Sequence, residues 1–137
     1  MKKKLKRSAC PIGMTLDIVG DRWSLLIVRS LMFAKRKTFK DLATISENIA
    51  TNILSDRLES LERTGIIMKL PDSADGRRSI YVLTEKGLDL MPVLLSMIAW
   101  GTKYNPDASY PVKMVKETVR NKTKLIKEAR KLQKTYN

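Results

Sequence analysis

The chain has 137 residues, a formal net charge of +13 and no histidine. Its hydrophobic content of 43% is enough to build a packed core, which excludes a disordered polymer. One cysteine and no histidine exclude an intrachain disulfide, a Cys/His zinc site within one chain, and Ser-His-Asp or Cys-His catalysis.

Residues 1–7 (MKKKLKR) carry five basic groups and no acidic one. With "SACPIGMTLDIVG" after them they have the outline of a secretory leader. Pro11, Gly13 and Asp17 interrupt the apolar run such a leader needs. The longest apolar run, near "MPVLLSMIAWG", falls short of the ~20 residues that span a bilayer. The expectation is a cytoplasmic protein with no membrane partner, opening on a basic arm over residues 1–9.

Residues 11–19 predict a short helix, with Pro11 suited to its first turn. "RWSLLIVRSLMF" (22–33) is apolar over most of its circumference and predicts the central buried helix. "AKRK" (34–37) is a connection. Thr38 is placed to cap a short helix over 39–45, with Phe39, Leu42 and Ala43 inward. After the turn 46–48, residues 50–64 predict a helix with Ile49, Ile53, Leu54, Leu58 and Leu61 on its buried side. Gly65 is a natural stop. On the other side stand Thr51, Asn52, Ser55, Asp56, Glu59 and Arg63. Glu59 and Arg63 have the spacing of an ion pair.

The period then changes. "IIMKL" (66–70) and "SIYVLT" (79–84) read as strands, and the turn chemistry of "PDSADGRR" between them makes a hairpin. Thr84 is placed to cap a helix over 85–104, kinked or broken near 88–92 by Pro92. Its inward residues are expected to be Leu88, Met91, Leu95, Ile98 and Trp100. "NPDASYP" (105–111) is a linker. Residues 112–135 predict a last helix with a thin apolar stripe through Val112, Val115, Val119 and Ile126, joined by Leu125, Ala129 and Leu132. From residue 112 to the end there are nine basic and two acidic groups, so the charge excess lies in the two ends. Such ends either solubilise a domain or reach along a phosphate backbone.

This order predicts a mainly α (α+β) fold: a winged helix-turn-helix over residues 10–104 with a two-stranded wing, followed by a linker and basic helix over 105–137. In such a unit the second helix of the pair enters the major groove of duplex DNA, about 12 Å wide. The candidate DNA contacts are Thr51, Asn52, Ser55 and Arg57 on that helix, with Lys69, Arg77 and Arg78 on the wing. Asn pairs bidentately with adenine, and Arg suits phosphate or a narrow minor groove.

"CPIGMTLDIVGDRWSLLIVRSL", "TFKDL", "IATNILSDRLESLERTGII" and "YVLTEKGLDLMPVLLSMIAWG", in this order, resemble the HxlR-type winged helix-turn-helix regulators, relatives of the MarR-like regulators. The resemblance covers residues 10 to about 101. It implies a DNA-binding transcriptional regulator acting as a homodimer with no cofactor, its flanking dimerisation helices mapping to 11–19 and 85–104. Met14, Ile18, Leu95, Ile98 and Trp100 are then the interface candidates. Some members of the family use a cysteine at the position of Cys10 to sense oxidants or electrophiles. The basic residues before it would favour thiolate, while the plain alternative is a partly buried packing residue. The family usually has Ser where this chain has Ala50, so the helix start shifts to Thr51 or Asn48 supplies the capping oxygen. Trp23 and Trp100 are expected to be core and interface anchors, and the seven methionines core filler.

Three functional classes remain open. One is a sequence-specific dimeric regulator on a pseudo-palindromic operator. Another is a non-specific architectural nucleic-acid-binding protein relying on basic tails. The third is a partner-binding scaffold. No constellation for proton transfer or metal binding points to an enzyme.

Overall fold

In the computed structural model, residues 9–136 are described; the basic arm before Ala9 lies outside them. The elements follow in the order α1 (Pro11–Val19), α2 (Ser24–Met32), α3 (Phe39–Ala43), α4 (Thr51–Arg63), β1 (Ile67–Pro71), β2 (Ser79–Leu83), α5 (Glu85–Leu88), α6 (Met91–Tyr104), α7 (Val112–Arg120) and α8 (Lys122–Tyr136). This is the winged helix-turn-helix expected from the sequence. No helix among the described residues is long and apolar enough to cross a membrane.

The core forms where apolar stripes of several elements meet. Ile27 and Val28 of α2 and Leu42 of α3 are sealed from solvent together with Leu54 and Leu61 of α4, Ile67 of β1 and Met91 of α6. Removing a side chain such as that of Leu54 would cost about 2–5 kcal/mol, because the cavity left behind cannot fully collapse. α4 is therefore held from beneath by the buried side chains of Leu54, Leu58 and Leu61.

Local chemistry sets the ends of the elements. The Thr38 hydroxyl accepts from the Asp41 amide while Asp41 accepts from the Thr38 amide, a reciprocal capping box at the start of α3. Gly65 adopts φ +79°, the left-handed conformation that stops α4 and that a side chain would resist. The α4 start resolves the question raised by Ala50. The helix begins at Thr51, Ala50 takes the cap position with extended backbone, and no side chain, Asn48 included, caps it.

β1 and β2 pair antiparallel, with Ile67 opposite Leu83 and Pro71 opposite Ser79. The Tyr81 amide donates to the Lys37 carbonyl at 2.7 Å, so the α2–α3 connection lies along the far side of β2. The wing is thereby joined to the entry of the helix-turn-helix.

The kink or break expected near residues 88–92 is a break: α5 ends at Leu88, and Pro92 sits in the first turn of α6, where its missing N–H costs nothing. Other expectations need correction. Trp100 points outward, 71% exposed, and Leu94 takes the buried place instead. Ile53 is also exposed, because the buried side of α4 is centred on Leu54, Leu58 and Leu61. Met14, Met97 and Met114 are exposed rather than core filler. The last helix breaks at Asn121 into α7 and α8. Its Val112 and Val119 are exposed, while Val115, Thr118 and Ala129 are buried.

Candidate nucleic-acid interface

The turn between α3 and α4 is anchored to the central helix. Arg29 of α2 reaches Glu47 with two parallel bonds, Nη1 to Oε2 at 2.5 Å and Nη2 to Oε1 at 2.9 Å. This fork geometry fixes direction as well as distance. The Arg29 hydrogen bonds bring the Glu47 carboxyl down to about 2, against partial burial that works the other way. The sequence did not single out this pair, whose members stand eighteen residues apart.

From that anchor α4 projects its polar side. Thr51, Asn52, Ser55, Asp56 and Glu59 are all exposed, and Ile53 stands beside them as an apolar contact the sequence placed inward. Asn52, Ile53, Asp56 and Arg57 form one wall of a shallow hollow with Asp21 and Trp23 opposite. Thr51, Asn52 and Ser55 thus share one open surface. Arg57 does not point outward with them: it pairs with Asp56 and, at 3.5 Å, with Asp21. The hydrogen bonds that Arg57 donates to Asp56 raise its pKa, with the Asp21 and Asp56 charges adding to it. Asp21 is itself an anchor. It accepts from the Trp23 and Ser24 amides and from the Ser24 hydroxyl at the start of α2. Burial works to raise its pKa, and these bonds together with Arg57 overcome it and hold the carboxyl low. Among the described residues no ion pair joins Glu59 to Arg63, contrary to the spacing argument.

The wing presents its basic residues unequally. Lys69 is exposed on β1. In the loop after it, Arg78 Nη2 bonds Asp72 Oδ2 at 2.8 Å, and the Asp72 amide donates to the Arg78 carbonyl at 3.0 Å, so this arginine closes the loop. The Arg77 side chain is 94% exposed; its Nε contacts Asp75 Oδ1 at 3.3 Å, and its amide donates to the same oxygen at 3.1 Å. Asp72 and Asp75, both turn formers, therefore offset part of the positive charge at the tip.

The interface candidates divide in the same way. Met14 is 50% exposed and Trp100 71%, whereas Ile18, Leu95 and Ile98 are half-buried against the core. Around the exposed pair the structure adds Ile12, Leu16, Met97 and Tyr104, at 71%, 59%, 53% and 63% exposure. The Trp100 and Tyr104 rings lie 5.5 Å apart. Single exposed apolar residues are ordinary, but such a concentration on α1 and α6 is not.

Cys10 stands at the N-cap position of α1 and is exposed, which removes the reading of a partly buried packing residue. Hydrogen bonds from the Gly13 and Ile12 amides lower its pKa. The described cause is thus the open N-terminus of α1; the basic run invoked from sequence lies outside the described residues.

Comparison with known proteins agrees with this architecture. The family model of the HxlR-like helix-turn-helix matches residues 18–109. An HTH-type transcriptional regulator of Mycobacterium tuberculosis is 38% identical over 100 residues, covering 73% of this chain and 62% of the relative, so the chain spans less than two thirds of that protein. The crystal structure of PA1607, described as a transcription factor, is similar with 37% identity and a TM-score of 0.68, over 76% of this chain and 72% of that one. The reduced form of the transcriptional regulator YodB from Bacillus subtilis is similar at 30% identity with a TM-score of 0.58, over 74% of this chain and all of that one. YodB has also been solved bound to a quinone and after diamide treatment. With a helix-turn-helix, a wing and this family match over most of its length, the chain belongs to the HxlR-like helix-turn-helix family.

Proposed function

We propose that the protein is a homodimer that recognises a pseudo-palindromic operator, with α4 of each subunit in successive major grooves. The observation that carries this reading is the uncovered polar side of α4: Thr51, Asn52 and Ser55 are exposed while Leu54 and Leu58 behind them are buried. Asn52 is assigned to a base edge, with Thr51 and Ser55 beside it on base or phosphate. Lys69 and Arg77 are assigned to the flanking backbone, and Arg78 to shaping the loop that carries Arg77. Arg57 reaches phosphate only by exchanging Asp56 or Asp21 for it. The apolar surface of α1 and α6, centred on Met14 and Trp100, supplies the subunit contact, and Ile18, Leu95 and Ile98 support it from behind. Two recognition helices held about 34 Å apart would read half-sites one helical turn apart.

Selection of bound duplexes from a random pool tests this directly. An inverted-repeat consensus is expected, together with relaxed preference at one position per half-site in Asn52→Ala. A pool that returns no consensus would overturn the operator assignment and favour a non-specific binder.

A redox response through Cys10 is a second element of the proposal. It is supported by the exposed thiol with lowered pKa and by the likeness to YodB, which is known in reduced, diamide-treated and quinone-bound forms. DNA affinity of wild type is expected to change on diamide treatment, and that of Cys10→Ser to stay constant. An equal change in both would remove the sensor role.

A further inference from the structure

The C-terminal helices lie largely beyond the matched family region, which ends at residue 109. They are not a loose tail. Val115, Thr118 and Ala129 are buried against the body of the domain. Arg130 forks onto Glu85 with bonds of 2.7 and 2.9 Å, and the Glu85 amide donates to Gln133 Oε1 at 3.1 Å. Asn121 is the sole residue between α7 and α8. Its amide donates back to Glu117 and Thr118 and its carbonyl accepts from Leu125, so the chain passes through it with helical bonding kept on both sides.

On the outward side this anchored pair of helices carries one row of cations. Lys113, Lys116 and Arg120 on α7 are followed by Lys124, Lys127, Lys131 and Lys134 on α8, at intervals of three or four residues throughout. That interval puts the cations of each helix on one side of it, the four lysines of α8 forming a ridge about 15 Å long at 1.5 Å per residue. All of them are exposed, and none takes part in an ion pair among the described residues. The acidic residues of these helices, Glu117 and Glu128, flank the row, one turn from Lys113 and Arg120 and from Lys124 and Lys131, on the side of the cavity between α7–α8 and β2.

From this geometry we infer that the α7–α8 ridge is a second, sequence-independent binding surface for the phosphate backbone of duplex DNA, apart from the α4 and wing surface. It rests on the DNA-binding assignment only for its choice of polyanion. The row has the chemistry of phosphate contact: point charges without directional demands, repeated along a rigid line. A protein partner fits it less well, because lysine is depleted at protein–protein interfaces while aromatic residues and arginine are enriched. An anionic membrane also fits it less well. A helix that lies in a membrane surface must offer a continuous apolar side, and here Val115 and Ala129 are buried in the protein while the exposed Val112, Met114 and Val119 are confined to α7. The consequence is affinity added equally to every sequence, leaving discrimination to α4.

The test compares the full chain with two quadruple variants at Lys124, Lys127, Lys131 and Lys134, one to Ala and one to Arg. Affinity for a long duplex of mixed sequence is measured across a salt series. Each phosphate contact contributes about 0.9 to the slope of log affinity against log salt, so the Ala variant is expected to lose about 2–4 from that slope while the Arg variant keeps it. Relative affinity among duplex sequences should be the same in all three proteins. An unchanged slope in the Ala variant would overturn the inference. So would loss of binding to phosphatidylserine vesicles with the DNA slope intact, which would make the ridge a membrane contact. Asn52→Ala separates the two proposals: it should relax preference at one position per half-site and leave the slope contribution of the ridge in place. If selection yields no consensus, the operator assignment fails while this slope difference still stands or falls by itself.

Discussion

Replacing Glu47 by Gln removes one member of the fork that ties the helix-turn-helix to α2, and the structure sets the size of the effect. The carboxyl is displaced from its ordinary value of 4.5 to about 2, which at about 1.4 kcal/mol per tenfold would amount to about 3 kcal/mol. The Arg29 and Glu47 side chains keep 35% and 25% of their exposure, and solvent screening reduces the expected loss to about 1–2 kcal/mol. Because the folded-state value is depressed, the stabilisation is complete above 4.5 and is lost as the pH falls toward 2. Urea unfolding of wild type and Glu47→Gln should therefore differ by about 1–2 kcal/mol near pH 7 and by less than half of that near pH 3. A gap of equal size at both pH values would mean that the glutamine disturbs packing rather than deleting a charge contact. No gap at neutral pH would mean that the fork contributes nothing.

Other expectations follow from single atoms. A Cβ at Gly87 would stand 2.3 Å from the Ile66 carbonyl oxygen, a backbone atom that cannot swing away. Gly87→Ala should cost about 3 kcal/mol, and an unchanged thermal midpoint would contradict the geometry. Arg77→Ala should leave stability intact, weaken binding to all sequences alike and lower the salt slope by about 1, read by fluorescence anisotropy across a salt series. Trp100→Asp places a charge on the exposed apolar surface of α6. It should shift the protein toward monomer in sedimentation without changing its melting, and a mass that stays dimeric would relocate the subunit contact.

What the sequence made legible was governed by short-range chemistry. Thr38, Gly65 and Thr84 each act on backbone groups within a few residues, so cap and stop could be read from neighbours alone. The buried sides of α2 and α4 followed from periodicity, because one dominant core pulls both. The failures have a shared cause. Ile53 and Trp100 are apolar, and periodicity alone does not say whether an apolar residue meets its own core or another surface. Arg29 and Glu47 are brought together only by the turn of the chain. Arg57 and Arg78 were assigned outward as cations, without the carboxylates of Asp21 and Asp72 that fold toward them. The hairpin register and the outer row on α7–α8 were implicit in the spacing, but their relation to the body required coordinates.

The Thr84 hydroxyl donates to the Gly65 carbonyl at 2.5 Å and accepts from the Gly87 amide at 3.1 Å, while Lys86 Nζ donates to the Thr64 carbonyl at 2.7 Å. The tail of α4 and the start of α5 are thus riveted at one crossroads, and in the proposed dimer α5 leads into the helix that joins two subunits. A tilt of α6 imposed at a subunit contact would be handed on to α4 as a change of angle, with nothing needing to melt. Since two reading heads must match the pitch of a duplex, a lever fixed at such a pivot could loosen a grip on DNA through a movement much smaller than the groove it occupies.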